Sequence, residues 1–397
     1  MTYRTPPGFA FSCVGCGSCC TCQNIGPLAA AEVEVLKQSD HPDLRALSER
    51  VPGGLFRRAR SDDGGRVQLI CRQKPMGCVF LRADGLCTVH AALGAEAKPI
   101  PCRMFPYRLI DTPQGVDVTL LPECRQWLQA RRAGQSVPQA AYQAEWDALS
   151  ALERQRLPFP AEVPVSDGRT LVYSAYRAWE DRAEATLAAW DHGSLPALVG
   201  RVAGSLVSYL DLDAPPASAS PATLHDLLLT LREFLAQAAE EYPATSGPES
   251  GTHAWFGALI DSLDLSPLYA GRLTADRLHP DARELLREGY LNYLHGKGWL
   301  GFGGLALGLA VTNLMPLLVL NLAFHGARLG HRLTVEPLDV QDATVTVYML
   351  ARSRLFRVLV QHQPEALLRE LLYEAPTLEA RWQALGDLWD GPELYVL

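Results

Sequence analysis

The last two thirds of this 397-residue chain contain no cysteine. All ten cysteines lie in the first 124 residues, so any chemistry that thiols supply is confined to the N-terminal region. The chain also lacks an excess of basic residues, because 36 Lys and Arg stand against 44 Asp and Glu and give a net charge of −8. Without an overall basic field, nucleic acid is not an expected partner.

The N-terminus has no basic segment followed by a long apolar run, which is the pattern of a secretory signal peptide. We therefore expect a cytoplasmic protein, in which clustered cysteines more often bind metal or do redox chemistry than form disulfides. The sequence contains no P-loop, G-x-S-x-G or H-E-x-x-H motif, so no catalytic residue is assigned.

Composition and charge change at about the same place in the chain. The first 124 residues carry a net charge of +2 and the remainder −10. We predict an α+β protein with a small cysteine-rich metal-binding module of short β-hairpins and loops at 1–127, followed by a mainly α-helical domain at 128–397. Stretches rich in Pro, Gly and Ser predict linkers near 211–221 and 243–252.

Hydrophobic periodicity predicts the elements of both regions. In the first region it predicts a short helix, a strand and two hairpins, one of which turns at Asp84-Gly85 between CVFL and LCTVH. These elements are Leu28–Leu36, Arg66–Cys71, the hairpin around Asp84-Gly85, and Tyr107–Asp111 with Val116–Leu121. The predicted helices of the second region are Gln139–Arg154, Tyr173–Trp190, Ala222–Glu241, Asp281–Leu294, Trp299–Gly326, Val340–His362 and Pro364–Leu385.

One segment, Trp299–Phe324, has no charged side chain and is long enough to cross a membrane. It also contains four glycines, two asparagines and Pro316, and a polar stretch follows it. We favour a helix in the core of the protein over a membrane span, with a kink or break at Pro316.

The most specific motif is C-x2-C-x2-C-C, which begins at Cys13. Closely spaced thiolates in a glycine-containing loop can converge on a metal ion or cluster. Thiolates select zinc, iron–sulfur clusters or copper(I), and eight of them suffice for two four-ligand sites or for one iron–sulfur cluster and a separate ion. The predicted metal ligands are Cys13, Cys16, Cys19, Cys20, Cys78, Cys87, Cys102 and Cys124.

Four nearby residues are weaker candidates. Cys22 and Cys71 fit small buried residues better than ligands. His90, three residues after Cys87, is a nitrogen-ligand candidate for which a structural role is favoured. Arg103, next to Cys102, suits either a hydrogen bond to a cluster or a plain salt bridge.

The strings FSCVGCGSCC, GCVFLRADGLCTVH and EAKPIPCRMFPYRL, together with Cys124, resemble the YkgJ-type CxxCxxCC cysteine-cluster family, a zinc- or iron-chelating domain. The resemblance covers about Phe9 to Cys124. The segment from Gly289 to Ala327 and the following LDVQDATVTVYMLARSRLF are similar to the helical half of flagellin lysine N-methylases. That similarity implies S-adenosylmethionine-dependent methylation of protein lysines, with an iron–sulfur cluster at the front of the chain.

Three functions follow as expectations. The first is a metal-binding protein that carries an iron–sulfur cluster or zinc on its N-terminal module. The second is a protein-lysine N-methyltransferase that uses S-adenosylmethionine and a protein substrate with surface lysines. The third is a non-enzymatic metal-handling protein that releases its metal to a competitor.

Overall fold

The fold combines small β-sheets with a mainly helical remainder, which confirms the predicted mixture of α and β structure. The computed structural model describes residues 2–11, 13, 15–22, 25–60, 67–74, 77–121, 124, 142–143, 146–147, 159–166, 168–190, 193–211, 221–241, 250–272, 277–352 and 354–388. Residues 212–220 and 242–249, on which most of the two predicted linkers fall, lie outside this set, as does most of the predicted helix at 139–154.

The N-terminal region alternates short strands with short helices. Its elements are β1 (Tyr3–Arg4), α1 (Ser18–Cys22), α2 (Ala30–Lys37), α3 (Pro42–Arg50), β2 (Phe56–Arg60), β3 (Val67–Cys71), β4 (Gln73–Lys74), β5 (Gly77–Cys78), α4 (Thr88–Leu93), α5 (Ile100–Met104), β6 (Tyr107–Thr112) and β7 (Gly115–Leu120). The predicted helix near residue 30, the strand that ends at Cys71 and the hairpin of β6 and β7 are confirmed. Several further short helices make the region less purely β than expected.

The hairpin predicted around Asp84-Gly85 is wrong in its second half. The turn is present, with Gly85 at φ 82° and a single bridge between Leu81 and Cys87. After Cys87 the chain enters helix α4, in which Val89 is fully buried in the smaller of two hydrophobic cores. Burial of that side chain outweighs the strand preference of Thr88 and Val89.

The helical remainder also contains a β-hairpin, formed by β8 (Glu162–Ser166) and β9 (Arg169–Val172). Its helices are α6 (Tyr173–Ala188), α7 (Leu195–Leu210), α8 (Pro221–Glu241), α9 (Ser250–Asp264), α10 (Ser266–Arg272), α11 (Pro280–His295), α12 (Leu305–Leu329), α13 (Pro337–Arg352), α14 (Arg354–His362), α15 (Pro364–Leu368) and α16 (Leu378–Leu385). The helix predicted at 364–385 is interrupted by a π-helical turn and a short 3₁₀ segment that contains Pro376, which has no N–H to donate to a continuing helix.

Helix α12 lies at the centre of the larger core, packed against α9, α11 and α13. By length and composition it could also cross a membrane, but most of it is buried inside the protein. The predicted kink or break at Pro316 is not a break, because the helix runs on through that residue. Burial of the apolar side chains on both sides of Pro316 outweighs the loss of one backbone hydrogen bond, about 3 kcal/mol.

The buried apolar side chains of the described residues form two hydrophobic cores. The larger core includes the helices and also the three-stranded sheet, in which β7 pairs with β1 in parallel and with β6 antiparallel. The smaller core lies under α2, α3, β3 and α4. Residues 125–141, which contain the predicted domain boundary at 127, lie outside the described residues, so that boundary stays a prediction.

A buried ionic cluster joins the three-stranded sheet to the helices. Lys297 Nζ lies 2.5 Å from Asp117 Oδ2 of β7 and 2.7 Å from Glu180 Oε1 of α6. Arg4 of β1 also binds Asp117 and Glu180, each at 2.7 Å. Because Lys297 and Glu180 are fully buried, this charge pairing fixes how the sheet sits on α6.

Candidate metal centre

Six cysteines line one cavity of about 180 Å³ in the N-terminal region, which we call the six-cysteine cavity. They are Cys19 and Cys20 on α1, Cys71 at the end of β3, Cys78 at the end of β5, Cys87 immediately before α4, and Cys102 in α5. A cavity of about 150 Å³ can admit a benzene molecule. The six-cysteine cavity therefore has room for a group larger than a single metal ion.

The rest of the cavity wall is largely apolar, with Phe80, Val89, Met104 and Phe105 among its residues. Protein interiors are normally packed so closely that few voids exceed the size of a water molecule. A space of this size, with thiols around it and apolar side chains between them, indicates a binding site better than plain packing of small buried residues.

Two glycines allow the chain to bring these cysteines together. Gly77 has φ 114°, and a Cβ on it would lie 2.5 Å from the carbonyl oxygen of Cys20. Gly17 has φ 71°, and a Cβ there would lie 2.5 Å from the carbonyl oxygen of Gly85. Since L side chains rarely adopt such φ values, glycine at both positions lets α1 pack directly against β5 and the turn before α4.

The thiols contact one another in pairs. A hydrogen bond from Cys20 lowers the pKa of Cys19 to about 6 and raises the pKa of Cys20 well above its ordinary value. The hydrogen bond with Cys78 likewise raises the pKa of Cys71, and burial raises the pKa of Cys102 to about 12. Three of these four shifted thiols therefore keep their protons at neutral pH unless a metal cation replaces them.

The thiols surround a volume and do not converge on one point. No three His, Cys, Asp or Glu side chains within the described part of the chain are placed to hold one metal ion. In a four-thiolate zinc site, Zn–S bonds of about 2.3 Å bring the sulfur atoms to about 3.8 Å from one another. The ligands of an iron–sulfur cluster bind different iron atoms around its outside. The described side chains therefore do not form a single-ion site in this structure.

The structure brings five of the eight predicted ligands to the cavity, namely Cys19, Cys20, Cys78, Cys87 and Cys102. Cys13 and Cys16 are exposed in the loop before α1, and Cys13 lies close to Tyr107 of the cavity wall. Cys124 is half-buried, and its N–H donates to the carbonyl oxygen of Leu121, another wall residue, at 3.3 Å. These three thiols lie outside the cavity, so the full set of eight ligands stays a prediction.

Sequence reasoning underrated Cys71 and did not single out Lys98. Cys71 is buried, as expected, but its place on the cavity wall is that of a ligand candidate. The available signal was its position at the end of a predicted strand, where other cysteines of the region also lie. Lys98 lies four residues before Cys102, ahead of helix α5, and lines the cavity. The side chain of Cys22 lies outside the described atoms.

The two weaker basic candidates, His90 and Arg103, are not among the described residues of the cavity wall. His90 is exposed on α4 and is absent from the described cavity wall. The Arg103 guanidinium donates from Nη1 to Glu96 Oε2 at 3.1 Å, which is the salt-bridge alternative for this residue.

Comparisons with protein-family models, with curated proteins and with solved structures find no match to this chain. The resemblances of the cysteine motif and of the helical half therefore stay predictions. The chemistry of the six-cysteine cavity is the basis on which a function can be proposed.

Proposed function

We propose that this chain is a metal-binding protein that holds an iron–sulfur cluster in the six-cysteine cavity. The observation that carries the proposal is the combination of six thiols and about 180 Å³ of space between them. Thiolates are the donor set that soft metals select, and a cluster fills a volume that one zinc ion would leave largely empty.

Four thiolates hold an iron–sulfur cluster, so the cavity offers two more thiols than one cluster needs. A bound cluster would supply one-electron transfer. The apolar wall residues Phe80, Met104 and Phe105 would limit access of water to it, and the extent of that exclusion is one of the factors that set a cluster's reduction potential.

The small size of the adjacent core supports the same proposal. Its ten buried residues include Cys71 and Cys78 themselves. A core of this size contributes little burial of apolar surface, and metal binding then adds directly to the free energy of folding. We therefore expect the N-terminal region to lose stability when its metal is removed.

Single cysteine substitutions test which thiols bind the metal. Serine is substituted in turn at each of the six cavity cysteines. At the four that bind the cluster the substitution should lower the iron and sulfide content of anaerobically purified protein well below the wild-type value, and at the two spare thiols it should not. Cys124→Ser tests the eight-ligand prediction, because Cys124 is absent from the described cavity wall; if the cavity alone holds the cluster, this variant keeps the wild-type content. Full metal content in all six cavity variants, with loss in Cys124→Ser, would place the metal elsewhere.

The other expected functions can be tested on the same sample. Transfer of a methyl group from S-adenosylmethionine to a lysine of a protein substrate would make the chain a methyltransferase, with the cluster as its cofactor. Rapid transfer of the bound metal to a chelator would instead support a metal-handling role.

A further inference from the structure

We propose that Lys98 supplies the positive charge that balances an anionic metal–thiolate group in the six-cysteine cavity, and thereby raises its reduction potential. This inference rests on the proposed function. It adds a residue that neither the cysteine motif nor its spacing indicates.

The position of Lys98 supports this role. It lines the cavity, and among the described wall residues it alone has a charged side chain. Cys19 and Cys102 line the same cavity as Lys98. The two cysteines belong to different helices, so Lys98 faces a space that they share and not one thiol only.

Nearby carboxylates are engaged elsewhere. Glu96 pairs with Arg103 at 3.1 Å. Glu32 accepts hydrogen bonds from the backbone N–H groups of Ile100, at 2.6 Å, and of Ala29, at 2.9 Å. Within the described part of the chain, Lys98 forms no ion pair with a carboxylate. Lys98 is half-buried and lines the cavity, so an anionic metal–thiolate group bound there would be available as its counter-charge.

The backbone around Lys98 is held in place. Its N–H donates to the carbonyl oxygen of Ala95 at 3.1 Å, and the next residue is the buried Pro99, whose ring fixes its own φ. Pro99 immediately precedes helix α5, which carries Cys102. The backbone of Lys98 is therefore held at a fixed position relative to the helix that carries Cys102.

The charge has a measurable consequence. An iron–sulfur cluster with four thiolate ligands is anionic, and one-electron reduction adds a further negative charge. A nearby ammonium group stabilises the reduced form more than the oxidised form, and so raises the reduction potential. Removing that charge should shift the potential to a more negative value.

The test uses the full chain, loaded anaerobically with iron and sulfide. The midpoint potential is measured by redox titration for wild type, Lys98→Gln, Lys98→Met and Lys98→Arg. Lys37→Gln is the matched control, because Lys37 is exposed and pairs with Glu34 in the same region. Both neutral variants should show a more negative potential, whereas Lys98→Arg and Lys37→Gln should match wild type.

The outcomes separate the two proposals. If the neutral variants load a cluster with the wild-type potential, the role of Lys98 is wrong and the metal proposal stands. If the neutral variants fail to take up a cluster while Lys98→Arg takes one up normally, cluster binding needs a positive charge at residue 98. That result also supports the role of Lys98. If wild type takes up zinc only, the cluster proposal and the effect on the reduction potential are both wrong, and chelator competition then tests the charge-balancing role alone, with weaker zinc binding by the neutral pair expected. A wild-type chain that takes up neither iron with sulfide nor zinc overturns both proposals.

Discussion

Gly77→Ala tests how the backbone assembles the six-cysteine cavity. At φ 114° an alanine is strained, and its Cβ would lie 2.5 Å from the carbonyl oxygen of Cys20 and 2.8 Å from Cα of Thr21. Neither atom belongs to a flexible side chain, so the backbone of α1 or of β5 must move. That movement would carry Cys19 and Cys20 away from Cys78, and we expect loss of bound metal.

A matched control separates the free-energy cost of backbone strain from the cost of steric overlap. Gly94 also has a positive φ, 88°, but a Cβ on it would meet nothing within 4 Å. Backbone strain should therefore cost about 1–3 kcal/mol in Gly94→Ala. Gly77→Ala should lose a similar amount from strain and a further 1–3 kcal/mol or so from the steric overlap.

The assay combines urea unfolding with the iron and sulfide content of each variant. Gly77→Ala should be the less stable of the two and should lose metal, whereas Gly94→Ala should keep it. If both variants retain wild-type metal and unfold at the same urea concentration, the close approach of α1 to β5 is not needed for the site.

Two further predictions concern the ionic cluster between the sheet and the helices. Lys297→Met should lower the free energy of unfolding by about 1–3 kcal/mol, because Asp117 and Glu180 would lose this buried ammonium but keep their ion pairs with Arg4. Urea unfolding measures the loss, and wild-type stability would contradict it. Burial raises the pKa of Glu184, but the hydrogen bond with His295 and nearby positive charges outweigh it and lower the pKa from about 4.5 to about 2. A carboxylate with a lowered folded-state pKa stabilises the fold above its unfolded-state pKa, so the melting temperature should fall as the pH drops from about 4.5 towards 2. Glu184→Gln should flatten that fall, and an unchanged pH profile would contradict the assignment.

Local patterns in the sequence were sufficient for several elements. Strands β6 and β7 alternate suitable residues around a turn, and α6, α8 and α11 follow apolar periodicity, whereas α7, α9 and α10 were not predicted. The same reasoning failed after Cys87, where LCTVH has strand-forming residues but Val89 is buried in the smaller core as part of a helix. The predicted break at Pro316 is also wrong, because packing on all sides of α12 keeps the helix continuous.

The kind of chemistry at the site was predictable from the sequence, but the set of residues that form the site was not. Clustered cysteines indicate thiolate ligation, yet spacing alone cannot distinguish the exposed Cys13 from the cavity residue Cys71. The ionic cluster has no sequence signal, because Arg4 and Lys297 come together only through the packing of the sheet on α6. Long-range contacts of this kind depend on the tertiary fold.

The most direct test is the metal content of the wild-type chain purified without oxygen. Iron, acid-labile sulfide and zinc should be quantified on one sample, together with its visible absorption spectrum. The proposal predicts matched iron and sulfide with broad absorbance near about 400 nm. A colourless protein without iron, or one with a single zinc ion per chain, would contradict a cluster in the six-cysteine cavity.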